Sequence, residues 1–183
     1  MHSPTLIVIS GPAGSGKTTL AHELSRAIGC PAICRDEIKE GMVHAYGAFD
    51  PQIGDELTHA TFPVFFEVLE LMLKSRVTVI AEAAFQDRLW RPGLERLAPL
   101  AQIRLIHCVV DAATAYQRRL ARVQENPIHA IHMDAAAIRA DPQAIRRHDD
   151  FVFPAFSPAR VLRVATSDGY KPSLAEILMF IDS

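Results

Sequence analysis

An eight-residue segment close to the start of the sequence constrains the fold more than any other feature. It reads Gly11-Pro12-Ala13-Gly14-Ser15-Gly16-Lys17-Thr18 and matches the phosphate-binding loop pattern G-x-x-x-x-G-K-[ST]. The β-branched apolar run Thr5–Ser10 precedes it, and apolar residues recur at helical spacing from Leu20 to Ile28 after it, before Gly29. A strand, a glycine-rich loop and a helix therefore follow one another in the order that the pattern requires.

The chemistry of such a loop accounts for its residue types. Glycines let the backbone curl around phosphate groups, so that successive N–H groups point inward as an anion nest, and the helix N-terminus adds partial positive charge. Lys17 reaches the β- and γ-phosphates of a nucleotide, and the Thr18 hydroxyl holds Mg²⁺. We therefore expect Gly11–Thr18 and the adjoining Thr19 to bind ATP, with Mg²⁺ as a cofactor.

The size and charge of the chain favour a single domain with a small-molecule partner. Its 183 residues are enough for one domain, 1–183, with a substantial core. The 19 basic residues nearly cancel the 21 acidic ones, for a formal net charge of −2, whereas a domain that grips long nucleic acid usually carries net positive charge. The balance disfavours a nucleic-acid partner, although a local basic groove is compatible with it.

The cysteines and the apolar runs indicate the cellular compartment in which the protein is expected. Three cysteines, Cys30, Cys34 and Cys108, have no paired spacing, which argues against a disulfide framework and for a reducing environment. The apolar stretch at the start is too short for a secretory signal, and no run approaches the roughly 20 apolar residues that cross a bilayer. We expect a cytoplasmic protein without a membrane partner.

Apolar strand candidates alternate with helix candidates along the whole chain. Strands are predicted at 5–10, 32–34, 77–81, 103–110 and 161–165. Helices are predicted from Leu20 to Ile28, at 54–75, where Pro63 should kink or restart the helix, and at 88–100, 112–123 and 173–181. This alternation indicates a parallel sheet covered on both faces, in which ligands gather at the carboxyl ends of the strands. The polar residues at those ends are Asp36, Glu82, Asp111 and the segment Thr166-Ser167-Asp168.

These residues together carry a resemblance to a known family. The phosphate loop, Arg35-Asp36 after strand two, Glu82 after strand three, and Arg118 with Arg122 on the next helix resemble the P-loop kinases of small acceptors. That family includes chloramphenicol phosphotransferase, zeta toxins and the kinase half of phage polynucleotide 5′-kinase. The resemblance implies a three-layer α/β/α P-loop NTPase of the nucleotide-kinase type, with a five-stranded, mostly parallel sheet and a lid at about 124–137.

The resemblance also implies roles around the acceptor. Asp36 matches the general base that takes the proton of the attacking hydroxyl; the alternative is an N-cap for a helix at 37–43, and one residue can do both. Arg35 and Lys39 flank it and hold either an anionic acceptor or solvent. Glu82 stands where relatives carry Asp, and it would touch the acceptor or the water shell of the metal, a role that Asp36 could share.

On the nucleotide side, the resemblance assigns the two arginines. Arg118 would lie over the adenine, and Arg122 would reach the phosphates and act in catalysis with Lys17 and Asp36. The segment Thr166–Gly169 resembles the loop at the adenine edge, and a plain turn explains it nearly as well. Asp111 is better explained as a cap for the helix at 112–123.

The function that follows is a Mg²⁺-assisted kinase that moves the γ-phosphoryl of ATP to an alcohol of a small acceptor. Its acceptor pocket is expected between the end of strand two, Glu82 and the Pro63 helix, near Tyr46, Phe49 and Phe62. The alternatives are a 5′-hydroxyl kinase of polynucleotides, against which the apolar Ala83-Ala84-Phe85 counts, and a nucleotide-dependent switch without transfer activity. The acceptor's identity and the oligomeric state stay open at this stage.

Overall fold

A five-stranded parallel sheet organises the chain. The computed structural model describes residues 3–46, 56–125 and 150–183, and its strands lie in the order β2-β3-β1-β4-β5. All neighbouring strands pair in parallel. The strands are β1 (Thr5–Ser10), β2 (Ala32–Cys34), β3 (Val79–Glu82), β4 (Gln102–Val109) and β5 (Arg160–Ala165).

Helices connect the strands and cover the sheet on both faces, as the sequence predicts. They are α1 (Lys17–Ile28), α2 (Arg35–Tyr46), α3 (Glu56–Lys74), α4 (Asp87–Leu97), α5 (Ala112–Glu125) and α6 (Leu174–Asp182). A 3₁₀ turn, Ala98–Leu100, follows α4. Within the described ranges, no helix is long and apolar enough to cross a membrane.

The central strand β1 divides the core into two layers. Leu6 and Val8 belong to one buried apolar cluster, with side chains of α3 and α4, while Ile7 and Ile9 belong to a second cluster, with side chains of α1 and α6. Successive side chains of a strand point to opposite faces, so an all-apolar strand is buried only when both faces are covered. The predicted α/β/α architecture is confirmed.

An aromatic cluster of Phe65, Phe66, Phe85 and Trp90 fills the layer under α3 and α4. The ring centroids lie 5.3 to 6.3 Å apart. The buried Trp90 Nε1–H donates a 3.0 Å hydrogen bond to Oγ of Ser10, the last residue of β1. This bond satisfies the indole and fixes α4 against the strand that leads into the phosphate loop.

The third strand begins two residues later than predicted. Val77 N–H donates to Met72 O over 3.0 Å, after Arg76 has turned the chain at φ 62. The Val77 N–H therefore satisfies a carbonyl at the C-terminal end of α3 instead of pairing with a neighbouring strand. Strand pairing of β3 starts at Val79. Pro63 does not restart α3 either, because the helix runs unbroken through it.

Candidate functional site

Close packing explains why the phosphate loop uses glycine. Gly11 and Gly14 have positive φ of 155 and 83. A Cβ on Gly11 would lie 2.3 Å from Cys108 O of β4, and one on Gly14 would lie 2.4 Å from Ala115 O of α5. The loop is therefore pressed against the backbone of β4 and α5, and only glycine fits at these positions.

Lys17 holds a buried position at the start of α1. The residue is 6% exposed, and its ammonium Nζ donates a 3.0 Å hydrogen bond to Pro12 O of the same loop. The same nitrogen lies 3.9 Å from Glu82 Oε1 at the end of β3. The cation is thus directed back over its own loop, where the phosphates of a nucleotide would lie.

Glu82 is buried beside this cation and is joined to the next loop residue. Thr18 Oγ1–H donates to Glu82 Oε2 over 3.1 Å. Burial raises the pKa of the Glu82 carboxyl to about 7, and the Asp36 carboxylate adds to the rise, while Lys17, Thr18 and Arg122 oppose it. Near neutral pH this carboxyl therefore exchanges between its charged and neutral forms, and its charge depends on the cations that reach it.

The Ser15 hydroxyl in the phosphate loop indicates whether a nucleotide would fit there. Ser15 is fully buried, and its Oγ has no hydrogen-bond partner among the described residues. A buried donor of this kind costs free energy until an acceptor satisfies it. Phosphate oxygens would accept from this hydroxyl and from the Lys17 ammonium beside it, and the residues present therefore fit a nucleotide triphosphate tail.

The oxygen donors beside the loop fit Mg²⁺ as well. Thr18 Oγ1 and the Glu82 carboxylate are hard oxygen ligands that already contact each other, and Mg²⁺ prefers oxygen ligands from one or two carboxylates, hydroxyls and phosphates. Asp36 lies near enough to raise the pKa of Glu82 electrostatically. Its carboxylate is thus a further candidate for contact with the water shell of the metal.

A pocket of about 500 Å³ adjoins the loop on the side of α5. Its volume is typical of pockets that hold small ligands. The side chains and glycines that matter for a nucleotide are Gly16, Thr19, Arg118, Arg122, Gly169 and Tyr170. The two arginines, which share a face of α5, therefore border the same space as the phosphate loop.

Arg118 is fixed in this pocket by the segment after β5. Its Nη2 donates to Thr166 O over 2.7 Å and to Ser167 O over 3.3 Å. Thr166 Oγ1–H in turn donates to Ser15 O of the phosphate loop over 2.9 Å. The guanidinium plane is thus held in place by backbone carbonyls, and the loop after β5 is tied to the phosphate loop.

The acceptor side of the site is built at the start of α2. Arg35 Nη1 donates to Asp36 Oδ1 over 2.9 Å and its Nη2 donates to Thr58 O of α3 over 3.1 Å, while its buried Nε has no partner among the described residues. Lys39 is 2% exposed and its Nζ donates to Thr58 Oγ1 over 3.0 Å. Of the two alternatives left open for Lys39, contact with solvent is therefore excluded, because α3 covers its side chain.

The starts of α2 and α5 decide whether Asp36 and Asp111 cap these helices. Helix α2 begins at Arg35, so Asp36 lies within its first turn and is not its N-cap. Asp111 Oδ1 accepts a 2.8 Å hydrogen bond from Thr114 N–H at the start of α5. The cap predicted for Asp111 is confirmed.

Part of the expected acceptor pocket differs from the prediction. Tyr46 is 73% exposed, and Phe62 packs on Phe66 and Phe85 with centroids 5.1 and 5.2 Å away. Phe62 thus extends the aromatic cluster, because a phenylalanine near several others gains more by packing than by facing a polar site. Phe49 and the proposed lid from residue 126 onward lie outside the described residues.

Sequence reasoning missed two residues that the structure places at the site. Thr58 receives hydrogen bonds from both Arg35 and Lys39, yet a lone threonine near the start of a helix carries no pattern. Tyr170 borders the nucleotide pocket, and burial with the nearby Glu23 raises the pKa of its phenol to about 12. Its place directly after Gly169, in a segment already of interest, was the available signal.

Comparison with known sequences gives one family. A family model described as an AAA domain matches residues 6–146, which is more than half of the chain. No curated protein matches the chain.

Solved structures share the fold over nearly the whole chain. A protein from Chloroflexus aurantiacus whose description proposes a kinase is 21% identical, with a TM-score of 0.75 over 96% of this chain and 91% of its own. The APS kinase of Mycobacterium tuberculosis, in complex with AMPPNP and APS, is 13% identical, with a TM-score of 0.70 over 100% of both chains. A gluconokinase from Sinorhizobium meliloti is 17% identical, with a TM-score of 0.62 over 100% of this chain and 94% of its own. The chain therefore has the fold of P-loop kinases.

Proposed function

The chain belongs to the AAA-domain family, and we propose that it is an ATP-dependent kinase that transfers the γ-phosphoryl group to a hydroxyl of a small molecule. The observation that carries the proposal is the convergence of Lys17 and Thr18 on Glu82, next to a phosphate loop whose Gly14 and Gly16 line a pocket of about 500 Å³. Catalysis of phosphoryl transfer rests chiefly on positioning and charge stabilisation, and this arrangement supplies both.

The nucleotide would lie between the phosphate loop and α5. Lys17 and the inward N–H groups of the loop would hold the phosphates, and the unpartnered Ser15 hydroxyl would gain an acceptor there. Arg118, held against the carbonyls of the segment after β5, would stack on the base, while Arg122 would offset charge on the transferring oxygens. When bound at Thr18 and Glu82, Mg²⁺ would neutralise charge on the β- and γ-phosphates.

The acceptor would enter from the side of α2. Asp36 is half exposed and carries the carboxylate that would accept the proton of the attacking hydroxyl. Its ion pair with Arg35 would hold the carboxylate in position at the start of α2.

One buried and one partly buried cation bear on the charge of the acceptor. Arg35 and Lys39 lie next to Asp36, and both are held by Thr58. Buried cations create a local positive field that favours an anionic partner. We therefore expect an alcohol with an acidic substituent to be preferred over a neutral alcohol of the same size.

Isotope transfer from ATP tests the proposal. The protein is incubated with γ-labelled ATP, Mg²⁺ and matched alcohols, such as glycerate against glycerol and gluconate against glucose. Label on an alcohol supports a kinase, whereas label that appears only as inorganic phosphate across the panel favours a nucleotide-dependent switch. A single-stranded oligonucleotide with a 5′-hydroxyl is the third arm, and its labelling, with a steep loss of affinity in salt, would indicate a polynucleotide kinase.

If the protein is such a kinase, its expected partners are ATP and soluble cytosolic metabolites. The three cysteines are free and buried, which suits a reducing compartment. The whole of residues 1–183 would then act as one kinase domain.

A further inference from the structure

A second group of metal-ligating side chains lies beside the phosphate loop helix. It consists of His22 on α1, Cys34 at the end of β2 and Glu37 in the first turn of α2. The His22 ring nitrogen, the Cys34 Sγ and a Glu37 carboxylate oxygen all lie within 4.8 Å of one another. His22 Nε2 and Glu37 Oε1 are 2.6 Å apart.

We propose that His22, Cys34 and Glu37 bind a zinc ion. Imidazole nitrogen, thiolate sulfur and carboxylate oxygen are the three ligand types that Zn²⁺ takes in proteins, and three protein ligands leave a fourth position for water. A sulfur ligand argues against Mg²⁺ or Ca²⁺, which take oxygen ligands. None of the nucleotide-site residues belongs to this ligand set.

The separations suit one small ion. Zinc bonds are about 2.0–2.3 Å long, so an ion among three atoms that lie this close needs only small side-chain rotations to contact them all. The side chains of His22 and Glu37 are 39% and 45% exposed, and they can move apart to admit the ion. Cys34 is buried and would supply the least mobile of the three ligands.

The surrounding charge favours a cation at this point. Cys34 pairs in register with Glu82 of β3. Burial raises the pKa of its thiol, and the carboxylates of Glu82, Glu37 and Asp36 raise it further; the same carboxylates attract a cation. Binding would replace the Cys34 proton, form a Zn–S bond and release that proton to solvent. It would also replace the hydrogen bond between His22 Nε2 and Glu37 Oε1 by Zn–N and Zn–O bonds, with neutral His22 carrying its proton on Nδ1, so no oxidant or reductant is needed.

The ion would connect two parts of the nucleotide site. Helix α1 carries Lys17 and Thr18 in its first turn, and α2 carries Asp36. Zinc bound between His22 and Glu37 would link these helices directly. We therefore expect zinc to raise the melting temperature of the nucleotide-free protein, since a ligand that binds only the folded state stabilises it.

Cobalt spectroscopy and zinc competition test the site on the full chain. Co²⁺ added to the wild type should give one equivalent of thiolate-to-cobalt charge-transfer absorption, and zinc should displace it. Cys34→Ser should abolish that band and weaken zinc binding at least about 100-fold, more than loss of an outer-shell partner costs. Cys30→Ser is the matched control, and it should keep both the band and the affinity.

The remaining ligands have their own controls. His22→Gln and Glu37→Gln should each weaken zinc, whereas His44→Gln, on an exposed position of α2, should leave the affinity unchanged. Zinc affinity that survives Cys34→Ser would mean an adventitious ion at other histidines and would overturn the proposal. If Cys34→Ser fails to fold, X-ray absorption at the zinc edge of the unmodified protein decides, since a spectrum without a sulfur neighbour at about 2.3 Å would also overturn it.

Discussion

Thr18 and Glu82, which are 64 residues apart in the chain, are joined by a 3.1 Å hydrogen bond from the hydroxyl to the carboxylate. The other carboxylate oxygen lies 3.9 Å from the Lys17 ammonium. A single buried acid therefore contacts both functional side chains at the end of the phosphate loop. Because burial raises the pKa of this acid to about 7, the charge opposite the loop responds to small changes in its surroundings.

The first prediction concerns the stability of the nucleotide-free protein. The pKa of Glu82 rises from 4.5 to about 7 on folding, so the folded chain holds this proton more tightly than the unfolded chain does. The contribution of Glu82 to stability is therefore most favourable below pH 4.5 and declines as the pH rises to about 7. Glu82→Gln should lack this decline, since glutamine does not titrate.

Thermal unfolding at several pH values measures this effect. We expect the melting temperature of the wild type to fall relative to that of Glu82→Gln between pH 4.5 and about 7.5, with the largest change near pH 5–7. Glu95→Gln on the exposed face of α4 is the control and should follow the wild type. A constant difference between wild type and Glu82→Gln over this range would contradict the prediction.

The second prediction concerns Lys17. Lys17→Met keeps an apolar stem of similar length but removes the ammonium, so ATP affinity in the presence of Mg²⁺ should fall at least about thirtyfold, because loss of one partner of a buried charged pair costs about 2–5 kcal/mol. Calorimetric titration with ATP gives the measurement. Lys74→Met, at the exposed end of α3, should bind ATP like the wild type. Unchanged binding by Lys17→Met would remove the basis of the nucleotide site.

The fold was predictable because its signals are local. The apolar run of β1 and the helical spacing that ends at Gly29 each depend on neighbouring residues, and both predictions are confirmed. The start of β3 was not predictable, because it depends on the bond from Val77 N–H to Met72 O. That bond exists only once α3 has formed and Arg76 has turned the chain.

The candidate site was predictable only where a pattern fixes its backbone. The phosphate loop has such a pattern, and Gly11, Gly14 and Gly16 have positive φ in the structure. Lys39 of α2 is buried because α3 packs over it, and it donates to Thr58, which is 19 residues away in the sequence. No local sequence pattern specifies this contact. The raised pKa of Glu82 depends in the same way on how tightly the layers pack around it.

The third prediction concerns Asp36 and separates catalysis from binding. Asp36→Asn keeps the shape but removes the base, so phosphoryl transfer should fall by about 10²-fold or more, while ATP affinity stays near the wild-type value. Steady-state kinetics and calorimetric titration give the two quantities. Asp182→Asn, at the exposed end of α6, is the control. Equal losses in both quantities would instead mark Asp36 as structural or as a metal ligand.

The fourth prediction concerns Arg118. Its guanidinium bonds the Thr166 and Ser167 carbonyls at the pocket that adjoins the phosphate loop. Arg118→Ala should raise the dissociation constant of ATP about 2- to 30-fold, since a guanidinium stacked on an aromatic ring contributes about 0.5–2 kcal/mol. Arg88→Ala on the exposed side of α4 should have no effect. An effect on acceptor KM alone would show that Arg118 does not bind the nucleotide.

The fifth prediction compares two glycines within helices. A Cβ on Gly93 would lie 1.9 Å from Phe66 Cε1 of the aromatic cluster, whereas no described atom lies within 4 Å of a Cβ on Gly41. Gly93→Ala should therefore destabilise the protein by about 1–3 kcal/mol through overpacking, while Gly41→Ala should stabilise it by about 0.5–1 kcal/mol through helix propensity. Urea unfolding measures both changes. Because the two substitutions are chemically identical, equal effects would show that Phe66 moves aside and that the cluster is loosely packed.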